Sequence, residues 1–374
     1  MPVTLHKVFD LHHQYGNLVR LYVGPMLLVM VAHPDDVRHI LLTSKLVDRG
    51  TIVTNLLRPF AGVGLINIDA RRWKLHRKLI NPTFHSELLE GYLEAFHDGG
   101  LFVSERLARA RGAATDVHPP VLSAAIHNFC STIIGMNHDL IPDGMAGEEL
   151  SAAVNDGLST VQVMNLLVAG TETVSVTVGY ALTLLALHPE WQDAAHQELK
   201  DVFGEGDDYL RAPSLADLGR LRVLESIIKE TLRLFPTVPI LPRVATEDLW
   251  LSGGSPASVL VPKGALLFVM PFLTHRLPQF FPDPQRFDPS RFLEDRVGKE
   301  HTCSYLPFGL GARNCVGYQY SRLELKVYLA DILRRFRFLP CSRREDLENC
   351  ALSLSLNPIK PIRVSCMPLG GPST

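Results

Sequence analysis

The chain has 374 residues, 46% of them hydrophobic and 20% charged, which is enough for a large core in one big domain or two ordinary ones. A formal charge of −2, few aromatics and no basic-aromatic strip give no reason to expect nucleic acid as a partner. Six cysteines, none spaced C-x-x-C, are too sparse for a disulfide scaffold and wrongly spaced for a zinc ribbon, so reduced, cytosol-facing thiols are expected.

The N-terminal "MPVTLHKVFDLHHQYG" lacks the apolar core of a signal peptide or membrane anchor. Residues 18–32, "LVRLYVGPMLLVMVA", predict two strands around a Gly24-Pro25 turn. Residues 33–48 and 70–140 read mainly as helices, and 151–187 as a long one with Pro189 after it. Its apolar stretch, Val161 to Leu187, is interrupted by Gln162, Asn165, Glu172 and several threonines. A carboxylate near the middle of a membrane span is costly, so a helix buried in a protein core is expected instead. Helices are predicted at 190–203 and at 214–235, the latter stopped by Pro236. From 236 to 300 prolines and short apolar runs such as "SVLVP" and "ALLFVM" predict small sheets and ordered loops. A helix returns at 316–336. Leu325, Leu329, Ile332 and Phe336 form one stripe on it and Tyr320, Leu323, Val327 and Ala330 another, so it is expected to be largely buried. The tail "ALSLSL…IRVSC" reads as a final hairpin. Without repeats, linkers or alternating βαβ units, the chain is expected to be mainly α with minor β.

One loop, "FGLGARNCVGYQYSRLEL" from Phe308 to Leu325, sets a lone cysteine among glycines before a helix. It is not the dinucleotide fingerprint, because Asn314 stands where a third glycine would be required. Gly309 and Gly311 permit positive φ and let backbone pass close to a flat ligand. At a helix start, free N–H groups and the macrodipole favour thiolate at Cys315. Gly317 removes a side chain just beyond it. In isolation such a residue reads best as a structural cysteine in a turn. The alternative is a thiolate bound to haem iron, the ligation found in cytochrome P450 enzymes.

The whole string resembles the F-x-x-G-x-R-x-C-x-G signature of the cytochrome P450 superfamily, with Phe308, Gly311, Arg313, Cys315 and Gly317 in the matching places. Glu230 and Arg233 match the family's E-x-x-R, whose third partner in the family is an arginine supplied here by Arg291 of "FDPSRF". Their implied role is a buried charge network holding the meander that carries Cys315, whereas an E-x-x-R met alone is an ordinary surface pair. Ala169-Gly170-Thr171-Glu172-Thr173 resembles the oxygen-binding motif. Cleaving dioxygen requires two protons inside an apolar pocket, so Thr173 is implied as the relay and Glu172 as its feeder. A threonine bonded to a carbonyl one turn back is the plainer reading of Thr173. Trp73 and Arg77, four apart on one helical face, together with Arg243 and Arg313, match residues that hold the haem propionates, which guanidinium suits by bidentate geometry.

The resemblance runs over nearly the whole chain and looks closest to the family 4 branch, which includes fatty-acid ω-hydroxylases. It implies one shortened cytochrome P450 domain over 1–374, with helical residues 70–235 and mixed loop and β residues 1–69 and 236–374 packed around the haem. Some members bond a glutamate covalently to haem; that position is Ala169 here, so haem b is expected thiolate-ligated but not covalently linked. The interval from Trp73 to Ala169 is shorter than the family's. "SAAIHNFCSTIIGMNHD" resembles the helix before the F and G helices, and "LIPDGMAGEELSAAVNDG" already resembles the approach to the oxygen helix, so the F–G lid and the N-terminal anchor are expected to be missing.

The implied activity inserts one oxygen atom of O2 into an apolar, lipid-like or xenobiotic substrate, with electrons from NADPH-cytochrome P450 reductase. The implied location is the cytosolic face of the endoplasmic reticulum membrane, or solution if the anchor is absent. Ala169, Val238 and Ile240 match substrate-facing positions, which define only an apolar pocket. Two alternatives stand: a truncated haem binder without turnover, and a haem-thiolate isomerase or dehydratase, which the Glu172-Thr173 pair disfavours. A hydrolase is unsupported, since Gly253-x-Ser255-x-Ala257 lacks the last glycine of a nucleophile elbow.

Overall fold

A computed structural model describes residues 5–44, 46–136, 160–293, 301–352 and 355–369. The point at which the F–G lid is expected to be missing, between Asp139 and Leu140, lies outside the described residues. The chain divides into two compact units. One comprises Met1–Lys78, Leu232–Val316 and Cys350–Asn357; the other comprises Leu79–Thr231, Gly317–Asn349 and Pro358–Thr374.

The first unit is built on a sheet. Leu18–Val23 and Met26–Val31 pair as the predicted hairpin, with Leu21 opposite Leu28. Met26–Val31 then pairs in parallel with Leu266–Val269, whose other edge takes Leu241–Val244 antiparallel. The β-branched and leucine side chains of these strands pack into one core, where Val31, Leu267 and Val269 are fully buried. The helix Thr51–Ala61 was not among the predicted elements.

The second unit is helical. Its axis is Thr160–Leu187, which satisfies the length and composition of a membrane span by itself, yet 72% of the window Val163–Leu187 is buried inside the protein. Thr171, Thr173, Thr177 and Thr183 each donate a hydroxyl to the carbonyl four residues back, which satisfies those polar groups within the helix. Tyr318–Leu333 is buried on nearly all sides, and Leu93–Arg109 packs against it through two glycines. A Cβ on Gly99 would lie 2.7 Å from Tyr328 Oη, and one on Gly100 2.5 Å from Asp331 Oδ2.

Three expectations need correction. The helix predicted at 214–235 is two, Leu215–Arg220 and Arg222–Leu234. Ser214 and Asp217 form a capping box on the first, and the Glu198 carboxylate accepts the Val223 and Leu224 N–H groups that start the second. Phe336 is not helical: the helix ends at Leu333, and Phe336–Pro340 is a strand whose buried Phe336 and Phe338 alternate with outward residues. The tail is not one hairpin. Cys350–Leu352 pairs with Leu356–Pro358, while Arg363–Pro368 joins a separate sheet between Thr115–Asp116 and Phe336–Pro340.

Candidate functional site

Cys315 stands exposed at the end of a closed loop in the first unit. Its N–H donates to Phe308 O at 2.8 Å, and the Asn314 N–H to Gly311 O at 3.1 Å. Gly309 and Gly311 turn the loop at φ +69° and +71°, where a side chain is strained. At Gly311 space is also lacking, since a Cβ would lie 2.1 Å from Leu41 O. The helix begins at Tyr318 with Gly317 as its cap, so the cysteine precedes the first turn. In the second unit, a Cβ on Gly317 would meet the Phe84 ring at 3.3 Å.

Around this loop the first unit gathers cations. Arg77, on the helix Ala70–Ile80, grips Asn314 through its carbonyl at 2.6 Å and its side-chain oxygen at 2.9 Å. Burial lowers the Arg77 pKa and the neighbouring Cys315 opposes that, so the guanidinium is set to favour thiolate. Arg313 lies 4.5 Å from the Trp73 ring centroid and donates to the carbonyls of Val47, Leu65 and Ile68. Arg243, on the strand Leu241–Val244, donates to Leu46 O and Pro242 O. Burial and the neighbouring Arg49 push Arg313 and Arg243 both to about 9. Each also lowers its pKa through a further cation: Arg243 through Arg313, and Arg313 through Arg77, the latter against opposition from Asp48 and Asp69.

Arg233 is fully buried and serves the meander before the cysteine loop. It donates to the carbonyls of His275, Pro284 and Arg286 and lies over Phe281. Arg291 donates to Asp283 O, a residue held at φ 48°. Glu230, one turn before Arg233 on the same helix, is also fully buried.

Sequence reasoning missed His275. Its Nδ1 lies 3.3 Å from Arg233 O, and its Nε2 accepts the Leu306 N–H at 2.9 Å, so a neutral ring ties the Arg233 helix to the segment entering the loop. Burial first, then Arg233 and Arg276, push its pKa to about 3. An unfolded histidine titrates near 6.5, so below that value only the unfolded chain takes up the proton. Stability is expected to fall as pH drops from about 6.5 towards about 3, by up to about 1.4 kcal/mol per pH unit from this residue. Melting temperatures at pH 7 and pH 5 should differ less in His275→Gln than in the parent. An equal pH dependence would assign the effect to other groups.

The remaining predicted residues fall as follows. In the second unit, Thr173 donates to Ala169 O at 2.9 Å, and Glu172 Oε2 lies 3.4 Å from His118 Nε2. A Cβ on Gly170 would meet Phe129 at 3.2 Å, which accounts for that glycine by packing. In the first unit, Val238 is 37% exposed and Ile240 half-buried.

A family model described as Cytochrome P450 matches residues 3–161 and 145–366, and the chain belongs to the cytochrome P450 family. Membership makes it a haem-dependent monooxygenase in general terms, using O2 and a redox partner, and its mainly helical architecture with minor β is a shortened form of that fold. Cytochrome P450 4c21 of Blattella germanica is 28% identical, over 95% of this chain and 86% of its own length. Cytochrome P450 4V2 of Homo sapiens is 27% identical, over 90% and 79%. Probable cytochrome P450 4aa1 of Drosophila melanogaster is 28% identical, over 89% and 79%. The first of these alignments runs over 444 positions, more than the 374 residues of this chain, so the relative carries segments without a counterpart here.

The first unit's residues fit a haem. Among the described residues no carboxylate lies within ion-pair distance of Arg49, Arg243 or Arg313, and Arg49 Nε is buried without a hydrogen-bond partner. Such an excess of buried positive charge is suited to the two propionates of that cofactor.

Proposed function

We propose that the chain is a haem-thiolate monooxygenase in which Cys315 is the iron ligand and the haem b is held without a covalent link. Bound haem would supply the centre at which O2 is activated. Cys315 would ligate it, with Arg77 favouring the thiolate. Arg313, Arg243, Trp73 and Arg77 would hold the propionates, and Phe308, Gly309, Gly311 and Gly317 would shape the loop. Glu230, Arg233 and Arg291 would brace the meander. The observation that carries the reading is an exposed cysteine on a hydrogen-bonded loop beside Arg77, in a unit where buried Arg243 and Arg313 have no carboxylate within ion-pair distance among the described residues.

Thr173 would pass protons and Glu172 would resupply them. The Thr173 hydroxyl donates to Ala169 O and keeps lone pairs able to accept a proton. Ala169, Val238 and Ile240 would face an apolar substrate, lipid-like or xenobiotic, as the resemblance to family 4 implies. Electrons would come from NADPH-cytochrome P450 reductase at the cytosolic face of the endoplasmic reticulum, to a single domain spanning 1–374.

The testing experiment is the spectrum of the reduced protein under carbon monoxide, followed by NADPH consumption with the reductase and candidate lipids. A strongly red-shifted Soret band supports thiolate ligation, and its absence defeats it. A second reading, haem binding without turnover, is favoured by the segments that the relatives carry and this chain lacks. It would give the band with no substrate-dependent product. Where there is turnover, Thr173→Ala should still consume NADPH yet release peroxide or water in place of product; unchanged coupling removes Thr173 from the mechanism.

A further inference from the structure

The segment Leu46–Arg49 runs through the cation cluster of the first unit. Leu46 O accepts from Arg243 Nε and Val47 O from Arg313 Nε, both at 2.9 Å. Asp48 O accepts the Val244 N–H, also at 2.9 Å, which fixes the next residue beside the strand that carries Arg243. Gly50 presses on the same strand, since a Cβ there would lie 2.8 Å from Val244 Cγ2. Arg49 is thus pinned on both sides. Its Nη1 donates to Ile66 O at 2.6 Å, while its Nε is buried and unbonded. The nearby carboxylates are engaged elsewhere: Asp48 accepts from the Gly50 N–H, and Asp69 from the N–H groups of Arg71 and Arg72.

A half-buried guanidinium beside two buried ones, with a buried Nε–H that has no partner and no carboxylate in ion-pair distance among the described residues, costs stability unless an anion arrives. We infer that Arg49 is a further positioning residue for haem, contributing a third guanidinium to the receptor for its two carboxylates. The inference rests on the haem reading proposed above. It has a signature that a purely structural role lacks: removing the charge should weaken the holoprotein without weakening the apoprotein.

The test compares ferric haem with its dimethyl ester, which lacks the two carboxylate charges, in titrations of full-length apoprotein. In Arg49→Met the preference for haem over the ester should fall by roughly tenfold or more, with ester binding unchanged. The apoprotein melting temperature should not fall, and Arg49→Lys should retain most of the preference. Discrimination equal to the parent's overturns the inference. So does an Arg49→Met apoprotein that melts lower or loses both porphyrins alike, because that marks a structural residue. If the parent binds neither porphyrin, the haem reading itself fails and Arg49's role with it. A parent with the red-shifted band and a variant with unaltered discrimination refutes only the role of Arg49.

Discussion

In Cys315→Ala the strongly red-shifted Soret band of the reduced, carbon monoxide-bound protein is expected to vanish. The cause is chemical, not a failure to fold. Cys315 is exposed, so alanine opens no core cavity, and the loop hydrogen bond from residue 315 to Phe308 O uses the backbone and survives. The apoprotein should therefore melt within about 0.5 kcal/mol of the parent, as surface substitutions do. The other five cysteines give the control. Cys130, Cys303, Cys350 and Cys366 are buried and Cys341 is exposed. Burial raises the pKa values of Cys130, Cys303 and Cys366, which opposes thiolate formation. Replacing any one of the five should leave the band in place. A band that persists in Cys315→Ala would refute the assignment, whatever its intensity.

Arg233→Ala is expected to have the largest effect on stability. Three carbonyls, that of His275 in a buried bond and those of Pro284 and Arg286 in part-buried ones, lose their donor at once around a side chain with no exposed surface. Leaving a buried acceptor unsatisfied costs about 1–3 kcal/mol, and the part-buried pair adds less than that each, so a loss of at least about 2 kcal/mol is expected. Lysine should not rescue it, because one ammonium cannot reproduce a planar fork that meets three acceptors. The consequence should reach the cysteine loop. Arg233 O is bridged through His275 to Leu306 N–H, two residues before Phe308. Calorimetry and haem content of Arg233→Ala and Arg233→Lys check this together. Full haem content at the parent's melting temperature would show that the meander stands without Arg233.

The fold was legible where local signals suffice. The Gly24-Pro25 hairpin, the helix before Gly204 and the long apolar helix all follow from turn residues and periodicity. The break at Leu221 was not, because the Glu198 carboxylate that caps the second helix is distant in sequence. Phe336 fitted a helical stripe and a strand alternation equally well, and only pairing with Arg363–Pro368 decides between them. At the candidate site the residues in motifs were legible because the spacing is itself the signal. Arg49 and His275 belong to no motif. Arg49 follows an aspartate and precedes a glycine, the pattern of an exposed turn, and its importance comes from Arg243 and Arg313, which lie far along the chain. His275 lies beside an arginine in a segment that reads as loop; only the folded chain sets it between Arg233 O and Leu306 N.

The glycine pair at 99–100 bears on how variation in this chain should be interpreted. Every side chain larger than hydrogen collides there, with Tyr328 Oη at one position and Asp331 Oδ2 at the other. Gly91 and Gly219, by contrast, face open space. In a collection of natural variants or a saturation library, positions 99 and 100 should therefore look as constrained as Cys315. Their intolerance would record only how closely two helices of one unit approach, and a ranking of positions by invariance alone would place a spacer beside the thiol.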